Sequence, residues 1–488
     1  MRPPPRLHAD RSLRAGEPLL SRRTVLAKAL AGAGLLLVPA RGVLGATPFL
    51  VENVTRLYAV EVARVLRPRS REAVRDAVLQ WPGRIAVGGG CYSMGGQVAV
   101  AGGLHLDMRE MNRLVWLRPE TKTVRVQAGM RWRDLQDLID PHQLSVRTMQ
   151  SYANFTIGGS VSVNAHGRYV GHGPLGHSVQ ALQLVLADGE IVEADRRTRP
   201  ELFRAAIGGY GALGVITEVE LALDDNVRLE RSVTSLPLRD YPAWFEREVK
   251  SAGGCLLHNA DLMPPDFDTA VAVSWLRSGK PLTVAERLTP RDRNYRLEQS
   301  LIWAVTELPN GDALQRKYVR PLLFEGQAVV WRNHEASLDL RSLESASRRA
   351  STYALQEYFV PTRCFGRFAT EMIRIIREHQ AKVLNVSIRH SPPDELSLLP
   401  WAREEVFSFV VYYKQRTDAK GQEHTGHWTR AMIDAALKCD GTYYLPYQLH
   451  ATPAQFAAAY PQADAFRAVK RVVDPAGRLC NTLWQRYL

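Results

Sequence analysis

Cysteine is scarce in this chain, with five residues in 488, at positions 91, 255, 364, 439 and 480. The set is odd in number, widely spaced and without a C-x-x-C pair. That argues against a disulfide scaffold and a zinc site, and leaves most of these thiols as small buried hydrophobes. Long apolar runs are missing too: after residue 46 no segment is apolar enough to cross a membrane. Concentrated charge is the third absence. Of the formal +13, the first 46 residues hold eight of the 63 Lys and Arg against two of the 50 acids. The remaining +7 is spread thinly, which predicts a solvated basic surface and no nucleic-acid binding. At 45% hydrophobic and 23% charged, the chain is globular and long enough for two or more domains.

The N-terminus reads Ser21-Arg22-Arg23-Thr24-Val25-Leu26, a twin arginine, followed by a modest apolar stretch at 29–38 and small residues near Ala40 and Ala46. The stretch is too short and too rich in Gly and Ala to span a bilayer, so residues 1–46 read as an export signal. The arginine pair points to the twin-arginine route for folded proteins, and hence to a periplasmic or secreted location. A disordered basic tail is the other reading.

Glycine, by contrast, is plentiful and clustered. Residues 85–107, IAVGGGCYSMGGQVAVAGGLHLD, read as strand, tight glycine turn, strand. Two readings fit this stretch: an anion cradle in which successive N–H groups converge on a pyrophosphate, or a plain glycine-rich hairpin. A Walker A loop is excluded because no Gly-Lys-Ser/Thr follows. Residues 156–177, TIGGSVSVNAHGRYVGHGPLGH, lack a helical or strand period over most of their length, as a functional loop does. Gly209 to Gly214 fits G-x-G-x-x-G, but a helix at 200–206 precedes it and a strand at 215–223 follows. That order is the reverse of a Rossmann fingerprint, so a nicotinamide site is rejected.

Between these segments the pattern predicts a strand near 61–66, a helix capped by Ser70 with Ala73, Val74, Ala77 and Val78 on one face, and strands at 115–117 and 123–128. A helix at 132–139 stopped by Pro141 follows, then a strand at 179–187 turning at Asp188-Gly189 into 191–194. Interleaved short strands and helices indicate an α+β domain.

The ordered set GGGCYSMGG, LDM at 106–108, TIGG, NAHG, ADG, ELF and GGYGALGVITEV resembles the FAD-binding domain of the vanillyl-alcohol oxidase and p-cresol methylhydroxylase superfamily. Decaprenylphosphoryl-ribose oxidases and aldonolactone or alditol oxidases are the nearest relatives by this likeness, and AYPQADAF with VVDPAGRLCNTLWQRYL resembles their returning tail. The resemblance implies an α+β fold with a two-subdomain PCMH-type FAD-binding domain at 47–223. It further implies an α+β substrate cap with an antiparallel sheet at 224–455, and a tail at 456–488 folding back onto the FAD domain. It implies FAD as cofactor, with Gly88, Gly89, Gly90, Cys91, Tyr92 and Ser93 around the pyrophosphate. Gly158, Gly159, His166 and Gly167 would lie along the flavin, with Ile216 toward the adenine and Gly211 also at the cofactor. Many relatives carry a flavin-linking histidine directly before the turn serine; here that position is Tyr92, so non-covalent FAD is expected, with a Cys91 thioether as the alternative.

Oxidation of a CH–OH group needs hydride delivery to flavin N5 and a group that takes the hydroxyl proton. Residues 385–390, NVSIRH, resemble the Glu-x-Arg strand of sugar and polyol oxidases, with Arg389 in register and Ser387 replacing the glutamate. Residues 443–450, YYLPYQLH, resemble their Arg-Pro-His-Trp-Gly-Lys strand, placing Tyr447 at the histidine and His450 at the lysine; against the ribose-oxidase pattern, Tyr447 takes the active-site lysine position. The catalytic candidates are therefore Arg389, Tyr447, His450 and His166, with Gln356 and Tyr358 as weaker cap candidates. Each also fits a plain structural role. His424 and His427 have no third ligand nearby and read as a solvated turn, so no metal is expected. The implied function is oxidation of a sugar-like, lactone or alcohol substrate with oxygen, a quinone or another acceptor. A non-catalytic flavin carrier or binding protein is the alternative, because the cap residues depart from the family pattern.

Overall fold

The computed structural model describes residues 49–307, 326–340 and 348–488; the twin-arginine segment 1–46 lies outside the described residues. Helices and sheets are mixed throughout. Strand Ile85–Gly88 does not fold back on its successor as a hairpin. Ile85–Gly88 and Arg64–Leu66 flank Leu104–Asp107 in a parallel three-stranded sheet, so the glycines lie on a long crossing loop. Helix Arg71–Gln80 covers this sheet. Ser70 Oγ accepts from the Ala73 N–H at 3.1 Å, and Val74, Ala77 and Val78 point into the core. Burying a valine of this kind stabilises by about 1.5–3 kcal/mol relative to exposing it.

A second, antiparallel sheet orders Ile191–Asp195, Val179–Val185, Val215–Asp225, Thr123–Gln127 and Leu114–Arg118, with Leu144–Val146 paired to the far end of Val215–Asp225. Helix Trp132–Ile139 packs Trp132, Leu135, Gln136 and Ile139 inward, a spacing of three and four that keeps them on one face. The segment 156–177 is less irregular than its composition predicts: Ile157–Ser162 is a short helix.

The third sheet has eight antiparallel strands, in the order Val329–Trp331, Arg228–Pro237, Thr269–Arg277, Cys255–Leu262, Val383–Ser391, Val406–Arg416, Ser351–Pro361 and Thr442–Tyr443. Helix Phe365–Glu378 lies behind it with Phe365, Phe368, Ala369, Met372, Ile375 and Ile376 buried. Two expectations change here. Of the segment 443–450 only Tyr443 is strand, the end of Thr442–Tyr443, and the rest is loop leading to helix Pro453–Ala459, capped by Thr452. His424 and His427 sit on helix Ala419–Leu437 and not in a turn, because Asp418 caps that helix and Trp428, Met432 and Ile433 bury its inner face.

The C-terminal residues return to the glycine segments. Ile85 N–H donates to Arg478 C=O at 2.7 Å and Cys480 N–H to Ile85 C=O at 2.9 Å. Asn481 Nδ2 donates to the Tyr210 carbonyl at 2.7 Å and Trp484 Nε1 to that of Gly209 at 3.0 Å. Among the described residues no helix is long and apolar enough to cross a membrane.

Candidate active site

Two cavities run into one another between the sheets. The larger, of about 220 Å³, and the smaller, of about 50 Å³, share Val87, Gly89, Thr156, Gly159 and Ser162 on their walls, so together they form an elongated groove. Its narrow end is lined by Gly88, Gly158, Gly211, Gly214, Met108 and Ile216, and its middle by Gly90, Cys91, Tyr92 and Ser93. Side chains are excluded here by packing. A Cβ on Gly89 meets Thr156 Oγ1 at 2.2 Å, and one on Gly158 meets Ala128 Cβ at 2.6 Å. Among the described residues, the backbone N–H groups of Gly90, Cys91 and Ser93 donate to no protein acceptor. Unpaired N–H groups on a half-buried turn that lines a cavity leave converging donors for an acceptor, and an anion can take them. A pyrophosphate fits this cradle, and an extended dinucleotide fits the groove.

Of the residues anticipated at the cofactor, Gly167 alone stands off the groove; its Cα packs where a Cβ would meet the Met149 carbonyl at 2.0 Å. Cys91 lines the groove in the left-handed region at φ 59°, and burial pushes its thiol up to about 11. Tyr92 packs its ring on Phe155, centroids 4.6 Å apart.

At the wide end the loop after helix Ile157–Ser162 delivers His166. Asn164, at φ 46°, sets the turn: its amide donates to Asp394 Oδ2 at 2.8 Å and accepts from the Gly176 N–H at 2.9 Å. Trp401, Phe359 and Tyr444 box the imidazole, with centroids 4.8, 5.4 and 5.8 Å from it. His166 Nε2 stands 2.6 Å from Glu357 Oε1, off the line of a well-formed hydrogen bond. Tyr447 Oη donates to the other oxygen, Glu357 Oε2, at 3.2 Å. Glu357 is only 1% exposed. Burial raises its carboxyl, but His166, Arg389 and Ser408 outweigh burial and hold it below the ordinary carboxylate range. The Tyr447 phenol is pushed well up, by burial and then by the Glu357 charge, so it is a hydrogen-bond donor and not a base.

The register of the eight-stranded sheet explains how these groups meet. Across four adjacent strands Asp261, Ser387, Val410 and Glu357 form one row, and Arg389, Ser408 and Phe359 the next. Arg389 lines the cavity, and its Nε is buried with no hydrogen-bond partner among the described residues. Asp261 is raised by burial despite Ser387, Arg389, Arg168 and Asn385. It accepts from Asn385 Nδ2 at 2.9 Å and from Asn259 Nδ2 at 2.7 Å.

His166, Arg389 and Tyr447 thus converge on one cavity. His450 does not reach it. It sits against Gly426 on helix Ala419–Leu437, and burial, with Arg430 and Arg486, lowers its imidazole to about 4. Gln356 and Tyr358 also point away, Tyr358 onto Phe368. The residue between them, Glu357, is the acid that reasoning from the sequence missed. The signal was the strand's period of two: Tyr353, Leu355 and Glu357 share the cavity face, whereas Gln356 and Tyr358 share the other.

Residues 62–195 match the FAD binding domain. Over the longer chain, the protein is 24% identical to L-gulonolactone oxidase of Bos taurus across 442 residues, covering 89% of this chain and 97% of that one. It is 26% identical to alditol oxidase of a Streptomyces strain across 439 residues, 86% and 94% of the two chains. To decaprenylphosphoryl-beta-D-ribose oxidase of Mycolicibacterium smegmatis it is 24% identical across 459 residues, 87% and 92%.

Proposed function

The chain belongs to the FAD-binding oxidoreductases of the vanillyl-alcohol oxidase and p-cresol methylhydroxylase superfamily, and from that premise we propose that it oxidises a CH–OH group of a sugar-like, lactone or alcohol substrate. FAD, when bound, supplies the two-electron acceptor for the substrate hydride. The observation that carries the reading is an ionised Glu357, in contact with both His166 and Tyr447, inside the cavity that continues the glycine groove. The Glu357–His166 pair takes the hydroxyl proton. Tyr447 fixes the second carboxylate oxygen, so the first stays aimed at the imidazole. Arg389, with an unspent donor in a buried site, orients the substrate oxygen and stabilises the negative charge that grows on it. The aromatic box of Phe359, Trp401 and Tyr444 keeps water from the pair.

Residues 47–223 are assigned to a two-subdomain FAD-binding domain, 224–455 to the cap and 456–488 to its returning tail. Non-covalent cofactor attachment is favoured by Tyr92 in place of a histidine and by the raised Cys91 thiol, a poor nucleophile. Acid precipitation should release the flavin into the supernatant. Yellow colour kept in the pellet on a Cys91 peptide contradicts this. Arg22 and Arg23 support export of the folded protein; replacing both with Lys should strand a flavin-loaded precursor in the cytoplasm, whereas equal export of the double variant sinks the assignment.

The activity is tested by mixing purified protein anaerobically with panels of alcohols, sugars and lactones and following flavin absorbance. Bleaching by a member of the panel is expected. Reoxidation of the bleached flavin by oxygen, or only by a quinone or dye, then assigns the acceptor. Flavin that no CH–OH donor bleaches contradicts the proposal and favours a flavin carrier.

A further inference from the structure

Two cysteines far apart in sequence meet beside the cap sheet. Strand Ser351–Pro361 pairs antiparallel with Thr442–Tyr443 through Tyr358 to Tyr443 and Phe359 to Thr442. Carried past Pro361, that register sets residues 362–364 against 437–439, and the two segments touch where Arg363 Nη2 donates to Asp440 Oδ2 at 3.0 Å. Cys364 caps the N-terminus of helix Phe365–Glu378, and Cys439 follows the end of helix Ala419–Leu437, which packs against it. The Cys364 thiol is close enough to act on that of Cys439, and no disulfide joins them. Cys439 belongs to the hydrophobic core, whereas Cys364 is half-buried at its edge. The other three thiols have charged or backbone neighbours and no second sulfur among the described residues.

We propose that Cys364 and Cys439 are a thiol modification site that closes to a reversible disulfide, tying the strand that carries Glu357 to the segment that carries Tyr444 and Tyr447. The ladder between the two strands is only two residues long, so the disulfide adds a covalent tie beside it. The oxidant is hydrogen peroxide or another two-electron thiol oxidant. The half-exposed Cys364 sulfur, as its thiolate, attacks one oxygen of peroxide, the O–O bond breaks to give the sulfenic acid, and the other oxygen leaves as water. The Cys439 sulfur then displaces hydroxide from that sulfenic sulfur, its own proton leaves with the hydroxide as a second water, and the S–S bond forms. Burial, together with the neighbouring thiol, pushes Cys439 up to about 11, which fits the resolving role better than the attacking one.

The test counts thiols in denaturant, with FAD-loaded protein first treated with diamide or hydrogen peroxide and compared with untreated protein. The titratable thiols should fall from five to three. Peptide mapping without reductant should show a 364–439 cross-link that dithiothreitol removes. Cys364→Ala should keep four thiols before and after treatment, whereas Cys439→Ser, which removes the resolving sulfur, should form no cross-link and should lose one thiol to peroxide as a sulfenic acid on Cys364. Oxidised wild type should unfold about 5 °C higher than reduced protein. Five thiols surviving treatment, a cross-link mapping to other cysteines, two thiols lost from Cys364→Ala, or an unchanged unfolding midpoint in cross-linked protein overturns the proposal.

Discussion

At Gly88, Gly89 and Gly90 and again at Gly158 and Gly159, the groove wall is main chain, and packing leaves no room for a side chain: a Cβ on Gly89 lands 2.2 Å from Thr156 Oγ1. Across the cavity the cap wall is side chain, with Glu357, Arg389 and Tyr412 drawn from three different strands. The two walls tolerate change differently. A backbone wall fails when any side chain is added, and the failure is loss of the nucleotide. A side-chain wall fails when a particular atom is removed, and the failure is loss of chemistry in a protein that still holds its cofactor.

The sharpest way to break this contrast is Gly89→Val. Flavin content of the purified protein should fall to background, because the branched Cβ blocks both the turn and the approach of an anion. Gly366→Val is the control, since a Cβ there meets nothing within 4 Å; equal flavin in the two variants would erase the distinction. Gly421 is unsuitable as a control: it lies in the first turn of helix Ala419–Leu437, where a Cβ meets Arg416 at 2.6 Å.

On the cap wall, Arg389→Met should keep full flavin content and slow anaerobic flavin reduction by ~10²-fold, a typical loss for one stabilising donor. Tyr447→Phe removes one hydrogen bond to a charged acceptor and should cost about tenfold. Unchanged reduction rates in both would move the chemistry elsewhere. His450→Ala marks the small end of the scale: lying off the cavity, it should alter the reduction rate by less than about twofold. A large effect would place His450 in the chemistry after all.

The same contrast explains what could be read before folding. Glycine's conformational and steric demands are local, so the clusters at 88–90 and 158–159 mark tight turns and close approaches directly, as Ser70 and Pro141 mark helix boundaries, and the family likeness adds the nucleotide to them. Glu357 announces nothing locally. It is one acid in an apolar strand, and it becomes a site only because the register of three strands sets it opposite His166 and beside Arg389. A one-residue shift of attention to Gln356 or Tyr358 selects the wrong face, since successive residues of a strand alternate. The misreading of 443–450 as strand has a related cause: Pro446 cannot donate to a ladder, and Tyr447 reaches the cavity from a loop. The pairing of Cys364 with Cys439 was equally hidden, because spacing along the chain does not report a register between distant strands.

Glu357 also ties chemistry to pH. Its folded-state carboxyl lies below the ordinary range, so its contribution to stability is present above the unfolded-state value and is lost as pH falls through the folded one. The gap in unfolding midpoint between wild type and Glu357→Gln should therefore narrow toward acid pH.

The most direct test of a backbone-held cofactor served by a side-chain proton acceptor is one pair of readings on Glu357→Gln: flavin bound per chain, and the rate of anaerobic bleaching by a donor that reduces the wild type. The amide keeps the size and hydrogen-bonding reach of the carboxylate but takes no proton. Flavin content should equal that of the wild type while bleaching slows by ~10²- to 10⁴-fold, the range for a lost general base. Bleaching at the wild-type rate, or loss of the flavin itself, would contradict the account.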